Sequence, residues 1–370
     1  MLTPRPLVVA LVLVTGATAG CKSKKKGERA AAAVAAIEGM DAVPASVDVV
    51  LGADVRALMR SELVERAAQR MLLADPGLSK ELEQLFSGCK LRPSKDLRVV
   101  ILAMDTDGAG GRSRERALLV ASGTLSEGAL AACVAQHLSA LGGQLVQTTV
   151  EGRTHYHADA PPDRLDVWFA FGSKDTVVVS SSPELLAEAM GDAPRLASDK
   201  EMAGLIDRAR RPQAALWAAG RVAPDVGEGL KAASNGAIGA PRAMFGHVLI
   251  DDGVAAELGV DLASPDEATA AVAAARVQLG VLAQVAQKWK LGRLVAKVTP
   301  EASESTVFLR LVLDPDEVRA AVAPIDTGSP GEETATPPEE QQQQGARKNG
   351  EGDAAPGDEA PVPEQGKVDR

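Results

Sequence analysis

Between residues 43 and 325, short runs with strand periodicity alternate with longer runs with helical periodicity, and this alternation constrains the fold more than any other feature. Strands are predicted near residues 46–51, 97–104, 116–123, 145–150, 153–158, 165–171, 175–180, 214–219, 243–250, 254–262, 293–299 and 305–313. Helices are predicted over residues 55–73, 78–86, 183–190, 225–233 and 315–322, with two more starting near 126 and 264. Strands joined by short turns pair antiparallel, so the sequence predicts an α+β protein.

The second half of this body repeats the order of the first. Residues 118–136 align with residues 255–275 as a strand, a turn and a capped helix, and in the later copy Ser264 and Glu267 have capping-box spacing. Each half reads β-α-β-β-α-β, which is a ferredoxin-like order. We therefore expect two similar lobes, residues 43–195 and 196–325, each an antiparallel sheet with helices on one face.

The composition changes abruptly after residue 325. Residues 326–370 are rich in Pro, Glu, Gly and Gln and hold few aliphatic side chains beyond Ala. Such a segment cannot bury enough apolar surface to offset the entropy of an ordered chain. The sequence predicts a disordered acidic tail.

The first twenty residues have the organisation of a signal peptide. Arg5 and the free amine form a small positive region, and Leu7 to Thr15 form an apolar run of nine residues. That run is too short to cross a bilayer as a helix, which takes roughly 20 residues. Small residues then lead to Cys21. Residues 1–20 are therefore predicted to be removed on export.

Ala19-Gly20-Cys21 resembles the lipobox of bacterial lipoproteins, and the resemblance covers residues 1–21. It implies that Cys21 becomes the acylated first residue of the mature chain and that residues 21–42 form a flexible tether. Lys22 replaces the Asp that commonly marks inner-membrane retention in that family, which implies the outer membrane, facing the periplasm. The alternative is cleavage after the A-x-A sequence Ala17-Thr18-Ala19, which would release a soluble secreted protein.

A cationic run and the cysteine count both favour lipidation. Four of the five residues after Cys21 are Lys, and cations beside a lipid anchor are attracted to anionic headgroups. The chain has three cysteines, so acylation of Cys21 leaves the pair Cys89 and Cys133. One prediction is that Cys89 and Cys133 form a disulfide. The alternative is that Cys133 is a small core residue and Cys89 has a free thiol.

Composition and motifs argue against several functions. Aromatic residues make up 2% of the chain and the net charge is −10, so single-stranded or duplex nucleic acid is not an expected partner. The sequence contains no G-x-S-x-G, H-E-x-x-H, Walker A or G-x-G-x-x-G motif. We therefore expect a protein that is not an enzyme and that binds no cofactor.

One strand carries residues of metal-ligand type. His155, His157 and Asp159 alternate along a predicted strand and so share a face, and imidazole with carboxylate suits zinc. Arg153 lies on the same face and would repel a cation. The alternative interpretation is a solvated strand face.

These observations predict a membrane-anchored envelope lipoprotein that is a partner-binding or structural module, with a protein partner in the envelope. The alternative is a carrier that binds a small apolar ligand in a cleft between the lobes. The body also resembles poorly characterised bacterial lipoproteins, which implies no specific activity.

Overall fold

The computed structural model describes residues 36–89, 92–106, 116–159, 166–234, 236, 238–289 and 291–326. The predicted signal peptide, Cys21, all but the last residues of the tether and the tail after residue 326 lie outside these ranges. The described residues belong to one compact unit.

Strands and helices follow the predicted alternation. The strands are β1 (Val49–Asp54), β2 (Leu97–Asp105), β3 (Arg116–Gly123), β4 (Gln144–Val150), β5 (Arg153–Asp159), β6 (Val167–Ser173), β7 (Thr176–Ser180), β8 (Ala214–Arg221), β9 (Ala243–Ile250), β10 (Val254–Asp261), β11 (Thr299–Ser303) and β12 (Thr306–Leu313). The helices are α1 (Val55–Met59), α2 (Glu62–Ala74), α3 (Pro76–Cys89), α4 (Pro93–Asp96), α5 (Glu127–Ala140), α6 (Pro183–Met190), α7 (Lys200–Ala209), α8 (Pro224–Ala233), α9 (Pro265–Ala286), α10 (Gly292–Val295) and α11 (Pro315–Asp326). The α+β class is confirmed.

Within the described residues, all of these strands form one twelve-stranded sheet. Its order is β11-β12-β10-β9-β8-β1-β2-β3-β7-β6-β5-β4, and β4 and β11 are its edges. The two halves of the chain join where β1 pairs antiparallel with β8. The expected lobes are therefore two arms of one sheet rather than two separate sheets.

The arms repeat one another around the central pair. In the first arm, β1 is followed by helices, the hairpin β2–β3, helix α5, strands β6 and β7, and helix α6. In the second arm, β8 is followed by α8, the hairpin β9–β10, helix α9, strands β11 and β12, and helix α11. The β4–β5 hairpin is an addition to the first arm. Because β1 and β8 run antiparallel, the repeat has approximate two-fold symmetry about an axis through this pair.

The ferredoxin-like order is not found. In a split β-α-β unit, the two strands that flank the helix run parallel and are not neighbours, because another strand lies between them. Here β1 pairs antiparallel with β2 and with β8, although helices separate β1 from both in sequence. The order of strands and helices along a chain does not determine which strands become neighbours in the sheet.

Helices lie on both faces of the sheet, which differs from the single covered face that we expected. Leu118 and Val120 of β3 belong to a core cluster with α6 and α7, whereas Leu119 and Ala121 belong to a second cluster with α5. The reason is visible in β3 and β7, whose central residues form continuous apolar runs. Such strands are typical of sheets that are buried on both sides.

Two local predictions differ from the structure. The strand predicted near residues 293–299 is the short helix α10, and β11 begins only at Thr299. Helix α7 was not predicted, although Met202, Leu205 and Ile206 bury one helical face.

Gly52 permits the central contact between the arms. It faces Trp217 across the β1–β8 pair, and a methyl group added at Gly52 would overlap the indole ring of Trp217. A glycine is therefore required where the two halves meet.

We expect Gly52→Ala to lower the free energy of unfolding by about 1–3 kcal/mol, because the buried indole would have to move. Gly204→Ala is the matched control, since Gly204 lies within α7 and has open space at its Cβ position. This control should raise stability by about 0.5–1 kcal/mol. Denaturant unfolding measures both, and equal effects of the two substitutions would contradict the packing argument.

Candidate functional site

A charged cleft of about 680 Å³ opens where β1 begins and β8 ends. Residues of α8, the start of β9 and the first turn of α9 complete its wall. Its charged lining residues carry both signs: Asp48, Glu201, Glu228, Glu267, Arg221, Lys231 and Arg242. A mixed lining of this kind produces no strong field of one sign for a charged ligand.

Arg221 is the centre of a structural network beside this cleft. Its guanidinium donates to Asp199 at 2.8 Å, to the carbonyl oxygen of Val47 at 3.1 Å and to Asp48 at 3.4 Å. Asp48 is only 8% exposed and also accepts hydrogen bonds from the backbone N–H and the hydroxyl of Thr106, each at 3.2 Å. These contacts connect the start of β1, the end of β2 and the end of β8.

Asp199 has a second role as the cap of α7. Its carboxylate accepts hydrogen bonds from the backbone N–H groups of Glu201 and Met202. The N–H of Met202 does most to hold the pKa of Asp199 below its ordinary value, and Arg221 lowers it further. The carboxylate is therefore ionised at neutral pH and occupied by structural contacts.

Ala263 and Glu267 also line the cleft, and they lie at the start of α9, where the sequence predicts a capping box. The hydroxyl of Ser264 accepts the N–H of Glu267 at 3.2 Å, and the carboxylate of Glu267 accepts the N–H of Ala263 at 3.1 Å. Pro265 occupies the first turn. Glu267 thus helps to define the start of α9. The cleft differs from the apolar cleft of the carrier hypothesis, because charged residues of both signs line its wall.

His155, His157 and Asp159 do not form a metal centre. The ring of His157 stacks on Trp168, with centroids 4.7 Å apart and an angle of 2° between the planes. Asp159 accepts a hydrogen bond from Gln144 at 3.0 Å. Burial, and then the charge of Arg153, lower the pKa of His155. In the part of the chain that the structure describes, no three His, Cys, Asp or Glu side chains are close enough to hold a metal.

Cys89 and Cys133 are joined by a disulfide. Their Cα atoms are 5.4 Å apart, and the bond ties the end of α3 to the middle of α5. Of the two alternatives that the sequence left open, the structure has the bridge. Cys21 lies outside the described residues.

A second surface was missed by the sequence analysis. Helix α9 buries Ala268, Ala271 and Val272 against Leu262 and Val307. Its other side presents Val277, Val281 and Val285, which are 66%, 54% and 44% exposed. These three residues follow one another at intervals of four, so they form one stripe along the helix.

Helix α9 is apolar on both sides, and this is unusual for a helix at a protein surface. Among the described residues, α9 is the one helix whose length and composition would allow it to cross a membrane. Only 17% of its most apolar stretch is buried. A helix that is apolar all round is normally enclosed by protein or lipid. The N-terminal half of α9 packs on the sheet, so α9 is part of the folded body. Its valine-bearing side remains exposed at the surface.

Cationic residues follow the valine stripe. Residues 268–300 contain no Asp or Glu, although the chain has 50 acidic residues, and they contain Arg276, Lys288, Lys290, Arg293 and Lys297. Arg276, Lys288 and Arg293 are exposed and make no ion pair within the described residues. This absence of acidic residues is the sequence signal that would have identified the surface.

Comparison with protein families and with curated proteins finds no match. Among solved structures, TP0453 in its crystal form I is similar over 78% of this chain and 98% of that chain, with 10% sequence identity and a TM-score of 0.41. A TM-score of this size is too low to establish a shared fold, so neither fold nor function is inferred from it.

We expect Arg221→Met to lower the free energy of unfolding by about 3 kcal/mol, because it leaves Asp48 buried without its cation. In the double variant Asp48→Asn/Arg221→Met, the loss should be smaller than the sum of the single losses by about 1–3 kcal/mol. Denaturant unfolding at neutral pH measures all three variants.

Lys231→Met is the control in the same cleft. Lys231 pairs with Glu228 at 3.8 Å on the exposed side of α8, and its loss should change stability by less than about 0.5 kcal/mol. If Arg221→Met lowered the free energy of unfolding as little as Lys231→Met does, the Arg221 network would not stabilise the fold. Arg221 and Asp48 would then be candidates for ligand binding in the cleft.

Proposed function

We propose that this chain is a lipid-anchored protein of the bacterial cell envelope, without catalytic activity, that acts as a partner-binding or structural module. The disulfide between Cys89 and Cys133 is the observation that carries the proposal. Disulfides form and persist in oxidising compartments such as the periplasm, and they are rare in the cytosol. The bridge therefore supports export of the chain.

The chain has three cysteines, and the bridge uses two of them, so Cys21 is the odd one. Its place directly after the predicted leader supports acylation at this position. Two or more acyl chains give stable anchoring, and the lysines after Cys21 add attraction to anionic headgroups. Lys22 in place of Asp favours the outer membrane, with the body facing the periplasm.

The contacts of the ionisable groups favour a role without chemistry. Asp48 and Arg221 of the cleft form a network with Asp199 beside it and with backbone groups, and Glu267 accepts a backbone hydrogen bond at the start of α9. A catalytic acid or base must be within reach of a substrate proton. The arrangement of these side chains stabilises the junction of the two arms instead.

The carrier hypothesis has less support. It requires an apolar cavity, whereas the cleft that the structure presents is lined by charges of both signs. The exposed valines of α9 lie on the outer surface of a helix, which suits contact with another surface better than enclosure of a small ligand.

We expect Cys21→Ser to abolish lipidation. Intact mass spectrometry of the membrane fraction should show the natural chain starting at Cys21 with added acyl mass, and the variant should show none. After a high-salt wash, which removes proteins held by charge alone, the natural chain should stay in the membrane fraction and the variant should leave it.

The double variant Cys89→Ser/Cys133→Ser is the matched control. It should lose stability by about 3–4 kcal/mol in the loop-entropy estimate, yet keep the acyl mass and the membrane fraction. A natural chain that begins at Gly20 with an unmodified thiol would disprove the anchor.

A further inference from the structure

We propose that α9 and the turn after it form a second membrane contact, which binds the surface of an anionic lipid bilayer. The contact consists of the valine stripe Val277, Val281 and Val285 and the cationic residues Lys288 and Arg293. This inference deepens the proposed function, because it assigns the body a lipid surface in addition to the anchor at Cys21.

The first argument is that the stripe is continuous. Single exposed apolar side chains are normal on soluble proteins, but contiguous apolar surface marks a contact. Val277, Val281 and Val285 lie on one side of α9, and Leu282 beside them is also half-exposed. The remaining positions on this side are small or uncharged, including Ala273, Gly280 and Gln284. The stripe is therefore an apolar strip without a charged neighbour until Lys288.

The second argument comes from the internal repeat. The helix equivalent to α9 in the first arm is α5. Helix α3 packs beside α5, and the disulfide between Cys89 and Cys133 ties them together. Between β8 and β9 the second arm has the single helix α8 where the first arm has α1 to α4. Within the described residues, the second arm thus has no counterpart of α3. Helix α10 packs on α9 but leaves Val277, Val281 and Val285 exposed.

Charge complementarity selects the occupant. Helices that lie in a membrane interface combine apolar residues with Lys and Arg, and anionic headgroups attract those cations. Residues 268–300 have this composition inside a chain of net charge −10. Trp289, which follows Lys288 in the sequence, is of a residue type that is enriched at membrane interfaces.

Two other occupants fit less well. A second copy of the chain would offer another valine stripe, but its residues 268–300 contain no Asp or Glu to pair with Lys288 and Arg293. The acidic tail of the same chain, residues 328–370, offers carboxylates, but it has few aliphatic residues to cover three valines. A bilayer surface offers both acyl chains and anionic headgroups.

The test uses the mature chain, residues 21–370, with Ser at position 21, so that binding does not depend on a lipid anchor. Vesicles of phosphatidylcholine, with and without phosphatidylglycerol, are floated through a density gradient with the protein. The chain should float with the phosphatidylglycerol vesicles, and much less with phosphatidylcholine alone. Failure to float with either would overturn the proposal.

The valine stripe is tested by the triple variant Val277→Gln/Val281→Gln/Val285→Gln. Its vesicle partition should fall by roughly tenfold or more, because three apolar side chains no longer enter the interface. Val312→Gln is the matched control, since Val312 on β12 is also 66% exposed. It should bind as the natural chain does. Equal binding by the triple variant and the control would overturn the proposal.

The cations are tested by Lys288→Gln/Arg293→Gln, which should reduce partition into anionic vesicles by about thirtyfold if each contributes as a cation at the surface does. Lys95→Gln/Lys174→Gln removes two exposed cations of the first arm and should change partition by less than about threefold. Similar losses in both pairs would mean binding by net charge alone and would overturn the assignment to α9.

Two further measurements separate the alternatives. If the valine variant converted a dimer into a monomer in gel filtration, the stripe would be a contact between copies. If removal of residues 328–370 changed the exposure of α9 to hydrogen exchange without vesicles, the tail would be the occupant. Either result overturns the membrane assignment. Because the tested chain carries no lipid, loss of the anchor hypothesis leaves this experiment interpretable, and the reverse also holds.

Discussion

The antiparallel pair of β1 and β8 is the contact on which the rest of the molecule depends. It is the one place where the sheet passes from the first half of the sequence to the second. Gly52 lets Trp217 lie flat against the backbone at this pair, and Arg221 holds the adjoining ends of β1, β2 and β8 through Asp48. Apolar packing and a buried ion network therefore act at the same junction, and the wall of the charged cleft is the outer side of that network.

Much of the secondary structure was predictable because its local signals are strong. Ser264, Pro265 and Glu267 define the start of α9, and Pro183 follows the capping residue Ser182 at the start of α6. The β9–β10 hairpin was also placed correctly, since strand alternation and a short turn determine it. The repeat of elements was visible for the same reason. In contrast, the sequence predicts a strand where the structure has α10. A short run of apolar residues has the same pattern in a strand and in a buried helix.

Pairing and burial could not be read from local patterns. The β1–β8 contact joins residues more than 160 positions apart, and no turn residue announces it. The continuous apolar runs of β3 and β7 did carry information about burial on two sides, but an antiparallel hairpin suggested one covered face. His157 shows the same limit at the level of a site. Its type and spacing suit a metal, whereas its ring packs on Trp168, which lies on the neighbouring strand.

The two edges of the sheet differ in what they can accept. At one end, β11 contains Pro300, which has no backbone N–H to offer to another strand, and Glu301 follows it. At the other end, β4 has the sequence QLVQTTV, with neither proline nor charge, and its side chains are largely exposed. Native sheets usually protect such edges with charges, prolines or bulges. At one edge, β11 thus has a proline and a charge that disfavour the addition of a strand, and β4 has neither at the other edge.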